Sequence, residues 1–369
     1  MNDMETCLKK LGKPMYRSRQ KISSTDMKKT SLNDIAKQLG VSKTLVSFVL
    51  NGRGKEFRIS DEVCRKVLET AKEMNYQPNR IAQGLRTGKT KTIGLIIADI
   101  ANPFFGKLGR EIEKEAARYG YRIIFCSSDE NPEKSKQQIA MLQQSQVDGY
   151  IISPTIDSEE QIRALLRAHL PVVLIDRYFP DIECSYIVVD NLDAAYRATT
   201  HLLARGRKKI ANITLNLDLV NMKERTEGYQ KALLDNGLQV DEKLIKILPF
   251  SHDNIDVNKA ILELVGDQND RKADAILFST SKIGVMGIEC ISALGLRIPE
   301  DVAVISFDNV DAYKICVSPV TVIGQPLSEI GKKAVQVLLN EINPSRKNAP
   351  KLQQIKLKTE FIVRKSCGA

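Results

Sequence analysis

Few residues in this 369-residue chain have the types and spacing that covalent chemistry needs. The three histidines, His169, His201 and His252, lie far apart and in no metal-binding spacing. The cysteines are Cys7, Cys64, Cys126, Cys184, Cys290, Cys316 and Cys367. They are odd in number, scattered and without a CxxC pair, which reads as reduced packing thiols in a cytosolic protein, not disulfides or a zinc site. The stretch GLRTGKT resembles the tail of a P-loop, but three residues, not four, separate Gly84 from Gly88. It also precedes a strand pattern where a P-loop follows one, so no phosphate cradle is built. No GxSxG elbow occurs. The expectation is a chain with no catalytic residues, no metal and no cofactor, hence not an enzyme.

Recognition chemistry is better represented. Ser31–Ser60 reads SLNDIAKQLGVSKTLVSFVLNGRGKEFRIS. Two apolar-periodic segments flank Gly40, and the second opens on small polar residues. An α-helix fits the major groove of DNA and reads it with its N-terminal residues. Lys43 could then donate to guanine O6 or N7, and the Thr44 methyl could meet a thymine methyl. Ser42 and Ser47 could bond phosphates, while Asn51, Arg53, Lys55 and Arg58 lie at the helix end and in the basic loop that follows. The alternative is a helical hairpin that only caps a larger domain.

The elements that must position these residues are legible nearby. Ser31 is a plausible N-cap with Asp34 three residues on, and Ile35, Ala36 and Leu39 share a face. Gly40 can take the left-handed conformation that ends a helix. Ser42 caps a second helix striped by Leu45, Val46, Val49 and Leu50. Ser60 caps a third, with Val63, Val67, Leu68, Ala71 and Met74 inward. Charge agrees with a nucleic-acid module. Of the 55 Lys and Arg, 20 fall in residues 1–92, against 9 of the 45 Asp and Glu, a net of +11 on a body that is close to neutral. Residues 1–28 read as a basic, disordered arm, and Met27 is a candidate start of the native chain.

From Thr92 the pattern changes to short β-branched runs: TIGLIIA, YRIIFC, GYIIS, VVLID, YIVVD, KIANITL, DAILFS and VAVISFD. Amphipathic helical patterns separate most of them, as at 105–119, 132–144 and 159–168. Such alternation implies a parallel sheet with helices on both faces. About eight runs exceed one comfortable open sheet, so two α/β halves are expected, with the break near Asp190. Hydrophobic content is 43 % and charged content 27 %, as in ordinary globular chains. No apolar run approaches membrane-span length, and the first residues lack the apolar core of a secretory signal. The expected place is the cytoplasm, with the nucleoid, rather than the membrane.

The segments LNDIAKQLGVSKTLVSFVLNG and NYQPNRIAQGLRTGKTKTIGLIIADIANPFF resemble the lactose/galactose-repressor (LacI/GalR) family of bacterial transcription regulators. So do VLIDR, RTEGYQKAL, GLRIPEDVAVISFDN and TVIGQPLSEIGKKAV, in collinear order over about residues 30–365. The resemblance implies a helix-turn-helix DNA-binding domain at 29–77 and a hinge helix and linker at 78–91. It implies an effector-binding and dimerisation domain at 92–369, built like the type I periplasmic sugar-binding proteins from two α/β subdomains joined by three crossing strands. The first subdomain is expected at about 92–189 plus 322–344, the second at about 190–321 plus 345–369.

The hinge helix implied by the family spans Asn79–Arg86. Leu85 matches a leucine wedged between base pairs in the minor groove, Ala82 the small residue beside it, and Arg80 and Arg86 would neutralise phosphates. Gly84 weakens that helix by about 1 kcal/mol relative to Ala, so the hinge is expected to be disordered off DNA and helical on it. Two departures bear on operator choice. Phe48 stands where many relatives have Arg or His and could be core filler, so operator sequence cannot be transferred from them. The loop from Gly52 to Ile59 is about three residues longer than the common pattern and strongly basic.

In the body, four groups match family ligand positions: Asn102, Phe104 and Phe105 on the first loop, Asp176-Arg177 ending VLID, Arg225 in KERTEGY, and Asp308 in VISFDN. Such carboxylates and guanidinium groups suit bidentate bonds to sugar hydroxyls or to an anion, or else hold the cleft together. Ser281-Lys282 replaces the Asn-Asp of many relatives. Lys282 would favour an anionic effector, such as a sugar phosphate or uronate, if it faces the cleft, and nothing if it faces solvent. The resemblance further implies a homodimer on a near-palindromic double-stranded operator, helped by apolar helix faces such as Leu108–Ala116 and Ile330–Leu339. With no trailing leucine heptads, a coiled-coil tetramer is not expected. A small-molecule effector would turn one subdomain against the other. A transport-type binding protein is the competing class, and the basic helix-turn-helix argues against it.

Overall fold

The computed structural model describes residues 30–77, 88–216, 218–250, 253–266, 272–344 and 351–369. The expected arm, the hinge residues Asn79, Arg80, Ala82, Leu85 and Arg86, and His252 lie outside the described residues. The chain divides after Arg80 into two compact units, each taken by itself below.

The first unit holds three helices, α1 (Leu32–Leu39), α2 (Lys43–Leu50) and α3 (Asp61–Glu73). A helix start leaves four backbone N–H groups without intrahelical partners. At α1 the Ser31 N–H and hydroxyl both donate to Asp34 Oδ2, at 2.8 and 2.7 Å. At α2 the Ser42 hydroxyl accepts from the Leu45 N–H at 3.1 Å, and at α3 Ser60 accepts from Val63 at 3.4 Å. Gly40 ends α1 at φ +64°, a conformation that costs side-chain-bearing residues energy. Ile35, Ala36, Val46, Val49, Val67 and Ala71 form the core. Leu68, read from sequence as inward, is 53 % exposed. Val67 and Ala71, one turn apart, take the inward line of α3, and the next residue is turned about 100° away from it.

The second unit is built on two six-stranded sheets. The first has the order β11-β5-β4-β3-β1-β2, from Gln354–Leu357, Ser185–Val189, Val172–Ile175, Gly149–Ile152, Thr92–Ile97 and Arg122–Ser127. The second has the order β12-β10-β9-β8-β6-β7, from Glu360–Ile362, Thr321–Gly324, Ala303–Phe307, Ala275–Phe278, Ile210–Leu215 and Ile245–Leu248. All pairings are parallel except β10 with β12. Helices α4 (Pro103–Arg118), α5 (Pro132–Gln144), α6 (Glu159–Arg167) and α12 (Leu327–Ile342) accompany the first sheet. The second carries α7 (Asn191–Ala204), α8 (Val220–Asp235), α9 (Ile255–Val265), α10 (Ser281–Ala293) and the short α11 (Ala312–Ile315). Both faces of each sheet are covered, so strand residues are apolar in both directions: Ile93, Leu95 and Ile97 join one core and Ile96 the opposite one.

The chain changes sheet three times: at Asp190, between β10 and α12, and between β11 and β12. Two expected boundaries are corrected. Residues 322–324 were assigned to the first subdomain, but β10 pairs with β9 from Thr321↔Ile305 onward, and Val322 and Ile323 fill the two cores of the second sheet. Residues 354–357 were assigned to the second, but they pair with β5, and Leu357 packs in the first core.

The apolar faces expected to help pair two chains are consumed within one. Leu108, Ile112 and Ala116 of α4 share a core with Ile330, Ala334, Val335 and Leu338 of α12. Gly331 permits that approach, since a Cβ there would lie 3.0 Å from Glu111 Cβ and 3.1 Å from the Ile112 nitrogen.

Candidate nucleic-acid interface and ligand cleft

In the first unit, Ser42, Lys43 and Thr44 are exposed at the start of α2, and Ser47 is half-buried one turn on. At the other end, Asn51 folds back, its Nδ2 donating to Ser47 O at 2.6 Å. Lys55 and Arg58 are exposed, Arg58 at φ +54°. The Arg53 guanidinium is engaged by Glu56 in a bidentate pair, Nε to Oε2 at 2.7 Å and Nη2 to Oε1 at 2.5 Å. Phe48 is not core filler: its ring stacks on that of Phe57 with centroids 3.6 Å apart and planes within 4°. Neither phenylalanine belongs to the core of this unit.

In the second unit, the loops at the carboxyl ends of strands from both sheets enclose a cleft of about 500 Å³, counting its mouth. Open α/β sheets place ligands at this edge. Asp99 follows β1, Glu130 follows β2, and Asp176 with Arg177 follows β4. Asn102, Phe104 and Phe105 come from the start of α4, and Asn221, Met222 and Arg225 from α8. Lys282, Asp308 and Gln325 follow β8, β9 and β10. Eight of the nine effector residues read from sequence therefore line one cavity. Ser281 does not line it and acts from behind, its hydroxyl donating to Asp308 Oδ2 at 3.0 Å.

The cleft's charges are largely compensated. Arg177 is buried and bonds both oxygens of Glu130, Nη1 to Oε2 at 3.0 Å and Nη2 to Oε1 at 2.5 Å, with Asp176 Oδ2 3.3 Å from Nε. Those two carboxylates outweigh its burial and hold the guanidinium above its usual pKa. Asn221 Nδ2 donates to Asp176 Oδ2 at 3.3 Å. Lys282 faces neither solvent nor an open anion site: Nζ lies 2.9 Å from Asp99 Oδ2 and 4.4 Å from the Phe250 ring centroid. Asp308 Oδ1 accepts from Gln325 Nε2 at 2.8 Å, and burial pushes this carboxyl above the usual aspartate range despite Arg225. Phe104 and Phe105, both buried, meet edge to face at 4.9 Å.

Arg225 differs from the other cations. Nε donates to Asn191 Oδ1 at 2.8 Å, Nη1 donates to Ser279 O at 2.5 Å, and the guanidinium lies 3.8 Å from the Phe307 ring centroid. Its Nη2 is buried with no hydrogen-bond partner among the described residues. Burial lowers its pKa. An unpaired buried donor costs about 1–3 kcal/mol, so a ligand oxygen placed there recovers that amount. The reading of the sequence missed Asp99, Glu130, Asn221 and Gln325. Asp99 carried a usable signal, because it ends TIGLIIAD as Asp176 ends VVLID and Asp308 ends VAVISFD.

Among the described residues, no group of three or more His, Cys, Asp and Glu could hold a metal ion, and no helix is long and apolar enough to cross a membrane. A capped helix-turn-helix and a two-sheet α/β body with a polar cleft at its strand ends together define a DNA-binding regulator on a periplasmic-binding-protein-like scaffold. Residues 31–79 match the family described as bacterial regulatory proteins, lacI family. Residues 90–365 match periplasmic binding proteins and sugar binding domain of LacI family. The chain is 32 % identical over 342 residues to the HTH-type transcriptional regulator DegA of Bacillus subtilis (strain 168), covering 92 % of this chain and 98 % of that protein. It is 32 % identical over 315 residues to the HTH-type transcriptional repressor PurR of Aliivibrio fischeri (strain MJ11), covering 85 % and 91 %. A transcriptional regulator CelR–cellobiose complex superposes with a TM-score of 0.67 at 26 % identity, covering 92 % of this chain and all of that one. The chain belongs to the LacI family of DNA-binding transcriptional regulators.

Proposed function

We propose that this chain is a repressor whose hold on a near-palindromic operator is set by a neutral, polyhydroxylated sugar bound in the cleft. The observation that carries the reading is the unpaired Arg225 Nη2, buried in a cleft whose other two cations already have carboxylate partners. Four carboxylates and three cations line the cavity. That balance disfavours a multiply charged anion and suits hydroxyls, which donate to Asp176 and Asp308 and accept from Arg225. Phe104 and Phe105 offer an apolar face to a sugar ring. The pairing of Lys282 with Asp99 removes the main reason to expect a sugar phosphate or uronate. The cellobiose complex of a relative and the sugar-binding description of the matched family point the same way.

In this reading Ser42, Lys43, Thr44 and Ser47 meet the major groove, and Asn51, Lys55 and Arg58 meet phosphates. Arg53 can join them only by leaving Glu56. The hinge residues Asn79, Arg80, Ala82, Leu85 and Arg86 dock in the minor groove, and two copies of the chain bind as a homodimer. Closure of the cleft moves one sheet against the other and changes operator affinity. A thermal-shift screen of the full chain with neutral sugars, sugar phosphates and uronates tests the effector class. A neutral sugar at 100 times its Kd adds about 2.7 kcal/mol, a rise of about 4–5 °C for a body of this size. A response confined to the anionic sugars would refute the reading.

A further inference from the structure

The residues between α2 and α3 build an aromatic plate beside the exposed helix that is read as the DNA contact. Phe48 lies one turn beyond Thr44, so the two share a face of α2. The loop then folds back on the helix end: the Arg53 N–H donates to Phe48 O at 2.9 Å, Phe57 to Arg53 O at 3.2 Å, and Ile59 to Gly54 O at 2.9 Å. Gly54 allows the close seat of this loop, since a Cβ there would lie 2.6 Å from Cys64 Sγ. These bonds deliver Phe57 onto Phe48 in parallel contact. Arg53, bracketed by Glu56, sits 5.7 and 4.8 Å from the two ring centroids. The plate is thus fixed before any partner arrives, and Phe57 remains 42 % exposed.

We propose that the Phe48–Phe57 plate is a specificity element that takes the 5-methyl group of a thymine in the major groove, beside the base pairs met by Lys43 and Thr44. A phenyl ring has no donor or acceptor, so it cannot read the hydrogen-bonding pattern of base edges. The apolar feature those edges present in the major groove is the thymine methyl. The surroundings fit DNA better than a protein surface. Lys43 on α2 and Lys55 and Arg58 on the loop are exposed, and the one carboxylate on the loop, Glu56, is neutralised by Arg53.

The test uses the full chain. Sites are selected from random-sequence duplex DNA, and each thymine of the enriched half-site is replaced by deoxyuridine, which lacks only the methyl. One position is expected at which deoxyuridine weakens binding about fourfold, the worth of one buried methyl. At that position 5-methylcytosine should bind better than cytosine. Phe48→Ala should bind the thymine and deoxyuridine sites equally, and Phe57→Ala, which leaves α2 unchanged, should lose part of the discrimination. Phe48→Leu keeps an apolar side chain at the loop contact and should fold even if Phe48→Ala does not, again with reduced discrimination. The proposal is overturned if deoxyuridine affects wild type and variants by the same factor at every position, or if the enriched half-site holds no thymine. The plate would then only brace the loop, and its loss would weaken all sequences alike.

Discussion

Replacing Arg225 by Lys keeps the charge and most of the volume but removes the fork. In the wild type two arms are fixed, on Asn191 Oδ1 and Ser279 O, and the third, Nη2, has no hydrogen-bond partner among the described residues, which is where the proposed sugar would bond. A lysine ammonium can satisfy one of these three directions and loses the planar contact with the Phe307 ring. Two effects should separate. The ligand loses a hydrogen bond from a charged donor, worth about 1.5–3 kcal/mol, or about 10- to 150-fold in Kd. The free protein loses one or two fixed bonds but no longer buries an unpaired donor, so its stability should fall by about 1–2 kcal/mol or less. Calorimetric titration with the sugar giving the largest thermal shift reads the first effect, and urea unfolding of the unliganded chain reads the second. If Arg225→Lys binds the sugar within twofold of wild type while losing stability, Arg225 is a structural residue and the cleft reading fails.

Other outcomes follow from single contacts. Asp308 has a folded pKa raised by burial, so its contribution to stability is full below its unfolded value and is lost as pH rises through the folded value. Asp308→Asn should therefore raise the melting temperature of the unliganded protein at pH 7, with a gain that shrinks toward pH 4, and should abolish sugar binding. Gly331→Ala would gain about 1 kcal/mol of helix propensity in open space. Here its Cβ meets the α4 backbone at 3.1 Å, so a net loss is expected in urea unfolding. Leu108→Ala, fully buried between α4 and the first sheet, should cost about 2–5 kcal/mol in the same assay. Ser42→Ala removes the acceptor for the Leu45 N–H and should lower the stability of the first unit by about 1 kcal/mol, read by amide hydrogen exchange in α2.

The parts of this protein that were legible in the sequence are those governed by local chemistry. Ser42 and Ser60 cap helices because a short hydroxyl before an apolar stripe has one favourable use. The β-branched runs became strands, and those inside the sheets, such as GYII, VVLI and AVISF, are buried on both faces, whereas the edge strand RIIFCS is not. Long-range pairing was not legible. IKL at 355–357 and VIG at 322–324 look alike as isolated runs, and only the register against β5 or β9 assigns them to a sheet. The same limit applied to the site. Arg225 and Asp308 stood out as charges in the segments KERTEGY and VISFDN, but the partner of Lys282 is 183 residues away. Phe48 was open to a core-filler reading, because nothing local announces that Phe57 stacks on it.

The central claim is that one ligand in the cleft sets the affinity of the first unit for DNA. Linkage makes this measurable from both ends: the factor by which the sugar changes operator affinity must equal the factor by which operator changes sugar affinity. Fluorescence anisotropy of labelled operator with and without sugar gives the first factor. Calorimetric titration of sugar into the free chain and into the operator complex gives the second. The account predicts equal factors of at least about fivefold. Sugar binding that leaves operator affinity unchanged would contradict it.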